Sequence, residues 1–88
     1  MQKQICFNSD TAKMFYFSPY IDIFELNDTK ILLKRYDSGK QIMISCSTAN
    51  ALKMIILGLL QGISKNQLIQ YMGSEMLLEL CIKNGVIE

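Results

Sequence analysis

The chain has 88 residues, a formal net charge of +1 and an apolar fraction of 50%. This length corresponds to one domain, and so small a net charge provides no general attraction to nucleic acid or to an acidic membrane. The apolar run Met54–Leu60 is far shorter than the roughly 20 residues of a membrane span, and the N-terminus lacks the apolar core of a signal peptide. We therefore predict one soluble, cytoplasmic domain over residues 1–88, with an N-terminal extension (1–19), a sheet (20–46) and a helical part (47–88).

Side chains that commonly carry out catalysis are scarce in this sequence. There is no histidine, so the most common general base is missing, and no glycine pattern follows a strand to bind phosphate. The cysteines Cys6, Cys46 and Cys81 lack the spacing of a metal site or a disulfide framework, which indicates small core residues. We predict a protein that is not an enzyme and that uses neither a metal nor a cofactor.

The first half of the chain has the pattern of a small antiparallel sheet. Met14–Phe17 is either an extra edge strand or an apolar segment lying across the domain, and Pro19 ends it. Three runs rich in β-branched and aromatic residues follow: Tyr20–Leu26, Lys30–Tyr36 and Gln41–Cys46. Because only short turns separate them, we expect a meander with the second run in the centre.

The second half has the pattern of three helices. Ser47–Gln61 begins with capping hydroxyls, ends at Gly62 and is so apolar that we expect it to be covered on most sides. Ser64 and Gln67 form the capping-box pattern of a second helix, and Ser74 begins a third that ends before Gly85. Val86-Ile87 is then expected to return against the sheet. The fold class is therefore α+β: a three-stranded antiparallel sheet followed by three helices, similar to a winged helix-turn-helix.

A helix-turn-helix pair suggests a DNA-binding transcriptional regulator, and we keep this as the alternative function. On a helical wheel, however, the third helix exposes Glu75, Glu79 and Lys83. Two acids and one base are poorly suited to an approach to phosphates. The charge pattern therefore disfavours nucleic acid as a partner.

The third strand and third helix are the better candidates for a binding site. Apolar residues cover an arc of about 240° on that helix, although one-sided packing needs only about 100°. The third strand has no proline, and its only charge is Lys40 at its entrance, so its edge is open to a peptide added as a further strand. Pairing of this edge with a second copy of the chain, giving a homodimer, is a further alternative. The predicted peptide-binding residues are Lys40, Gln41, Ile42, Met43, Ile44, Ser45, Glu75, Leu78, Glu79, Ile82 and Lys83.

Basic residues between Lys30 and Lys40 would favour an acidic peptide and speed its encounter with this edge. Of these, Lys34 and Arg35 lie in the second predicted strand and Lys40 enters the third. The only counter-charge in this stretch is Asp37. The alternative interpretation is an ordinary solvated strand face.

The sequence over Tyr20–Glu88 resembles a known family of peptide-recognition domains. The resemblance rests on the order of the elements, on the segment Leu59–Ser64 followed by Gln67-Leu68, and on the closing Gly85-Val86-Ile87. It is similar to the PqqD-like domains, or RiPP recognition elements, of pathways that make ribosomally synthesised peptide natural products.

This resemblance implies a function and a pair of partners. Such domains bind the leader segment of a precursor peptide between the third strand and third helix, here Gln41–Cys46 and Glu75–Lys83, and present it to a modifying enzyme. The form most resembles those that accompany azole-forming cyclodehydratases, with lasso-peptide and quinone-cofactor pathways as alternatives. The link Tyr71–Ser74 is shorter than in many members of the family, which leaves the subfamily open.

Overall fold

The structure is a computed structural model that describes residues 13–88. Its centre is a three-stranded antiparallel sheet of order β2–β3–β4, formed by β2 (Ile21–Asn27), β3 (Lys30–Arg35) and β4 (Gln41–Ser45). Turns of two and five residues join the strands, so neighbours in sequence become neighbours in the sheet. The predicted meander with its second strand in the centre is confirmed.

Three helices follow the sheet: α1 (Ala49–Gln61), α2 (Lys65–Met72) and α3 (Glu75–Lys83). Each begins at a hydroxyl side chain that accepts a backbone N–H bond, and the bond from Leu77 to Ser74 Oγ measures 3.1 Å. The α+β class with a winged-helix-like arrangement is confirmed. None of the helices formed by residues 13–88 has the length and apolar character needed to cross a membrane.

The N-terminal segment of the described chain pairs with Ile63–Ser64 and with the C-terminal residues. Short strand β1 (Met14–Phe15) pairs with β5 (Ile63–Ser64), and Phe17 forms an isolated bridge with Ile87. Tyr16 and Glu88 exchange two backbone hydrogen bonds of 2.8 Å. Of the two expectations for Met14–Phe17, the extra strand is found in part: Met14–Phe15 is a strand, but of a separate two-stranded sheet and not of the three-stranded one.

The C-terminal residues pair with the N-terminal segment through backbone hydrogen bonds, and Val86 and Ile87 enter the same core as Ile31 and Leu33 of the sheet. Val86 and Ile87 are almost fully buried there. Residues 1–12, including Cys6 with its predicted core position, lie outside the described residues.

One core lies between the inner face of the sheet and the helices. Ile31, Leu33 and Ile44 come from the sheet, and α1 contributes three buried side chains: Leu52, Ile55 and Leu59. The expectation that α1 is covered on most sides is wrong. Leu57 is 43% exposed and Leu60 is 62% exposed, because one face of this helix has no neighbour among residues 13–88.

Cys46 and Cys81 occupy the predicted packing positions. Cys81 is fully buried in the core. Cys46, which follows β4, is partly buried and packs against the core. Burial raises the pKa of the Cys81 thiol to about 11 and also raises the pKa of Cys46. Both thiols are therefore protonated at neutral pH and behave as small apolar groups.

Candidate functional site

The outer edge of β4 presents a row of unpaired backbone groups. Opposite residues of an antiparallel pair alternate between those that exchange backbone bonds and those that do not. Arg35 N–H donates to Lys40 O at 2.7 Å, and Cys46 N–H donates to Thr29 O at 2.8 Å. Even-numbered residues of β4 therefore bond to β3, and the N–H and C=O groups of Gln41, Met43 and Ser45 point away from it. No strand formed by residues 13–88 pairs with that side.

The side chains of β4 divide between two faces. Ile44 is fully buried and Ile42 is half-buried, both on the face that packs against the helices. Met43 is 50% exposed on the opposite face, where Phe24, Leu32 and Met43 form one row across the sheet. A strand added beside β4 would therefore meet apolar side chains on both of its faces.

Helix α3 packs beside β4 and forms the neighbouring surface. We predicted that Leu78 and Ile82 bind the peptide, which requires both side chains to be exposed. Leu78 is instead fully buried, because its position faces the core, and Ile82 remains 42% exposed. Ile82 is therefore the member of this predicted pair that is available to a ligand.

The predicted acidic residues of α3 are both exposed, at different places. Glu75 in the first turn forms an ion pair of 3.3 Å with Lys65 at the start of α2. Glu79 is exposed one turn further along. The predicted exposure of Glu75, Glu79 and Lys83 on this helix agrees with the structure.

Two of the predicted lysines come together from distant parts of the chain. Lys40, at the entrance to β4, and Lys83, in the last turn of α3, line one shallow cavity of about 280 Å³. Within residues 13–88 neither lysine forms an ion pair. Their charges therefore make this end of the β4–α3 region an attractive site for a carboxylate.

Arg35 also lines this cavity, although the sequence had indicated only that it belongs to a general basic patch. Its guanidinium donates to both oxygens of Asp37 at 2.8 and 2.9 Å and to the carbonyl of Gly85 at 3.0 Å. The bond to Gly85 joins the end of β3 to the chain that leaves α3. The hydrogen bonds from Arg35 lower the pKa of Asp37, so the pair stays ionised at neutral pH. The Arg-x-Asp spacing is the sequence signal for this pair.

The basic residues of the sheet do not form one patch. Lys30 and Lys34 lie on the outer face of β3, opposite Ser45 and Gln41 respectively, whereas Arg35 lies on the inner face. Asp22 stands beside Lys34 on the neighbouring strand. The positive charge near the open edge is therefore concentrated at Lys40 and Lys83.

The structure thus places α3, with its exposed Ile82, beside β4, brings Lys40 and Lys83 together, and leaves Leu78 in the core. Comparisons with known proteins add no relative to this picture: no protein-family model, no curated protein and no solved structure matches the chain.

Proposed function

We propose that this protein is a non-catalytic module that binds a peptide by strand addition at the edge of β4. The peptide is the leader segment of a ribosomally synthesised precursor, which the module presents to a modifying enzyme. The observation that carries this proposal is the outward backbone of Gln41, Met43 and Ser45, with which no strand of residues 13–88 pairs, on a strand that packs beside α3, the helix that carries the exposed Ile82. An open strand edge next to a helix is the geometry used in β-augmentation.

Backbone bonds would give the added strand its register. Three residues with outward N–H and C=O groups provide up to six hydrogen bonds, each contributing about 0.5–1.5 kcal/mol net. Side chains opposite Ile42 and Ile44 would lie on the face of the sheet that packs against the helices, and those opposite Met43 would extend the apolar row on the other face. Because successive side chains of a strand point to opposite faces, a ligand with apolar residues at successive positions fits both faces.

The charges of two lysines favour one direction of the bound peptide. Lys40 and Lys83 lie at one end of the β4–α3 region, so an acidic residue at one end of the peptide would settle there. Such exposed charges change the association rate and the salt dependence more than the final affinity. The resemblance to leader-peptide-binding domains supports a leader as the source of this peptide and a modifying enzyme as the second partner.

The direct test is an NMR titration of the domain with leader peptides from short reading frames near its gene. We expect the amide protons of Gln41, Met43 and Ser45 to shift and to become protected from exchange, because they acquire bonding partners. Amides of Ile42 and Ile44, which already bond to β3, should show the smaller change in protection. A peptide that binds without protecting the odd-numbered amides of β4 would refute strand addition at this edge.

The lysine pair provides a quantitative prediction. Reversing both charges, with Lys40→Glu and Lys83→Glu, should weaken binding of an acidic leader by about tenfold at low salt, and by less at high salt. The matched control is Lys53→Glu, an exposed lysine of α1. Calorimetry at two salt concentrations measures both effects, and equal losses in the two variants would contradict a local role for the pair.

A DNA-binding regulator remains the competing function, and the same surface argues against it. The exposed part of α3 combines Glu75 and Glu79 with the apolar Met76 and Leu80, and its single base is Lys83. We expect only weak, salt-sensitive association with duplex DNA. Tight, sequence-selective binding at physiological salt would reverse this order of preference.

A further inference from the structure

The opposite edge of the sheet has the features of a second interface. In β2 every residue after Ile21 is exposed, and exposure does not alternate along the strand. Ile23 is 40%, Phe24 46% and Leu26 52% exposed, although they do not all lie on one face of the strand. Large apolar side chains exposed on both faces of an edge strand favour pairing with another strand.

No strand formed by residues 13–88 pairs with the outer side of β2. Tyr36 N–H donates to Tyr20 O at 3.1 Å, which makes Tyr20 and Tyr36 a bonded pair. By the same alternation as in β4, Ile21, Ile23 and Glu25 direct their N–H and C=O groups away from β3. The strand has no proline and no basic residue, and a bulge between Glu25 and Asn27 limits the regular ladder to residues 21–25.

We propose that β2 pairs antiparallel with β2 of a second copy, with the two-fold axis at Ile23. In this register Ile23 faces Ile23 of the second copy, and Ile21 and Glu25 face each other across the axis. All three are residues with outward backbone groups, so the ladder would contain six hydrogen bonds. A two-fold interface needs a surface that is complementary to itself, and this five-residue segment fulfils that condition.

Charge and packing favour the same register. Asp22 would stand opposite Phe24, and Glu25 opposite Ile21, so no like charges lie directly opposite each other. Beside β2 lies a cavity of about 370 Å³, which apolar residues of α1, among them Leu52, Ile56 and Leu57, line together with the charged Glu25, Asp28 and Lys53. The inward-facing side chains of the second copy's strand would lie on the same side of the sheet as this cavity.

The resulting dimer would contain one continuous six-stranded sheet of order β4–β3–β2–β2–β3–β4. Both β4 edges would lie at its ends and remain open. This inference does not depend on the nature of the peptide, and dimerisation at β2 is compatible with ligand binding at β4.

Sedimentation equilibrium of the full chain, without peptide, is the first test. Between about 1 μM and 1 mM, where a small ladder interface associates, the mean mass should rise from the 10.1 kDa of the monomer toward twice that value. Phe24→Glu places a carboxylate opposite Asp22 on both sides of the axis and should raise the dimer dissociation constant by at least about tenfold.

The matched control is Met43→Glu, because Met43 lies in the same cross-strand row as Phe24 but on the opposite edge strand. It should leave dimerisation unchanged. Equal weakening by both substitutions would assign the interface to the outer face of the sheet, and weakening by Met43→Glu alone would assign it to β4. Either result, or a monomer at every concentration, overturns the proposal.

Amide exchange tests the register in the unmodified protein. The N–H groups of Ile21, Ile23 and Glu25 should exchange rapidly in dilute solution and become protected at high concentration. Those of Asp22 and Phe24, which bond to β3, should be protected at both concentrations. Protection of the odd-numbered amides that does not change with concentration contradicts pairing with a second copy.

Discussion

Replacing Met43 by proline should abolish peptide binding and leave a folded domain. The N–H of Met43 points away from β3, so proline removes a donor to the ligand without removing a bond inside the sheet. The lost bond and the peptide carbonyl left without a partner together predict a fall in affinity of at least about 100-fold. Calorimetry with a leader peptide measures this loss, and circular dichroism verifies the fold.

Two variants separate the backbone effect from other causes. Met43→Ala keeps the N–H and removes a half-exposed side chain, so most of the affinity should remain. Ile44→Pro removes an N–H that bonds to β3 and disturbs a buried position, so it should unfold β4. If folded Met43→Pro protein binds with unchanged affinity, the ligand does not add as a strand at this edge.

Leu78→Ala should cause one of the largest losses of stability available to a single substitution. Its side chain is fully buried between α3 and the rest of the core, and truncation of a buried leucine costs about 2–5 kcal/mol. A domain of this length has an unfolding free energy of about 4–13 kcal/mol, so this loss is a large fraction of the total. Urea denaturation measures the difference.

Leu80→Ala provides the control on the same helix. Leu80 is 43% exposed, so its truncation should cost less than about 1 kcal/mol. Similar losses in the two variants would contradict the placement of Leu78 in the core. Leu78 variants therefore report on folding, and Ile82 is the position at which the apolar part of the binding region is tested.

Local signals in the sequence were sufficient to predict most of the helices and strands and their order. The hydroxyls of Thr48, Ser64 and Ser74 cap the three helices, and Gly73 ends α2 with a φ of 75°. Short turns determined the order of the strands. These features depend on residues a few positions apart, so periodicity and capping rules identify them.

Features that depend on distant contacts were not accessible in this way. The wheel of α3 showed a wide apolar arc but not which side faces the core, so Leu78 was assigned to the surface. The hydrogen bond from Arg35 to the carbonyl of Gly85 joins residues 50 positions apart in the chain. The exposure of Ile23 and Phe24 on β2 also depends on tertiary structure. Their apolar side chains alone would predict burial.

The pairing of Phe17 with Ile87 has a consequence for how the chain acquires its structure during synthesis. These residues are 70 positions apart, and both Val86 and Ile87 belong to the core. Closing so long a loop carries an entropic cost that local helix and hairpin contacts do not repay. The β2–β3 hairpin and α1 can form on the nascent chain, but cooperative closure has to wait until residue 87 has left the ribosome.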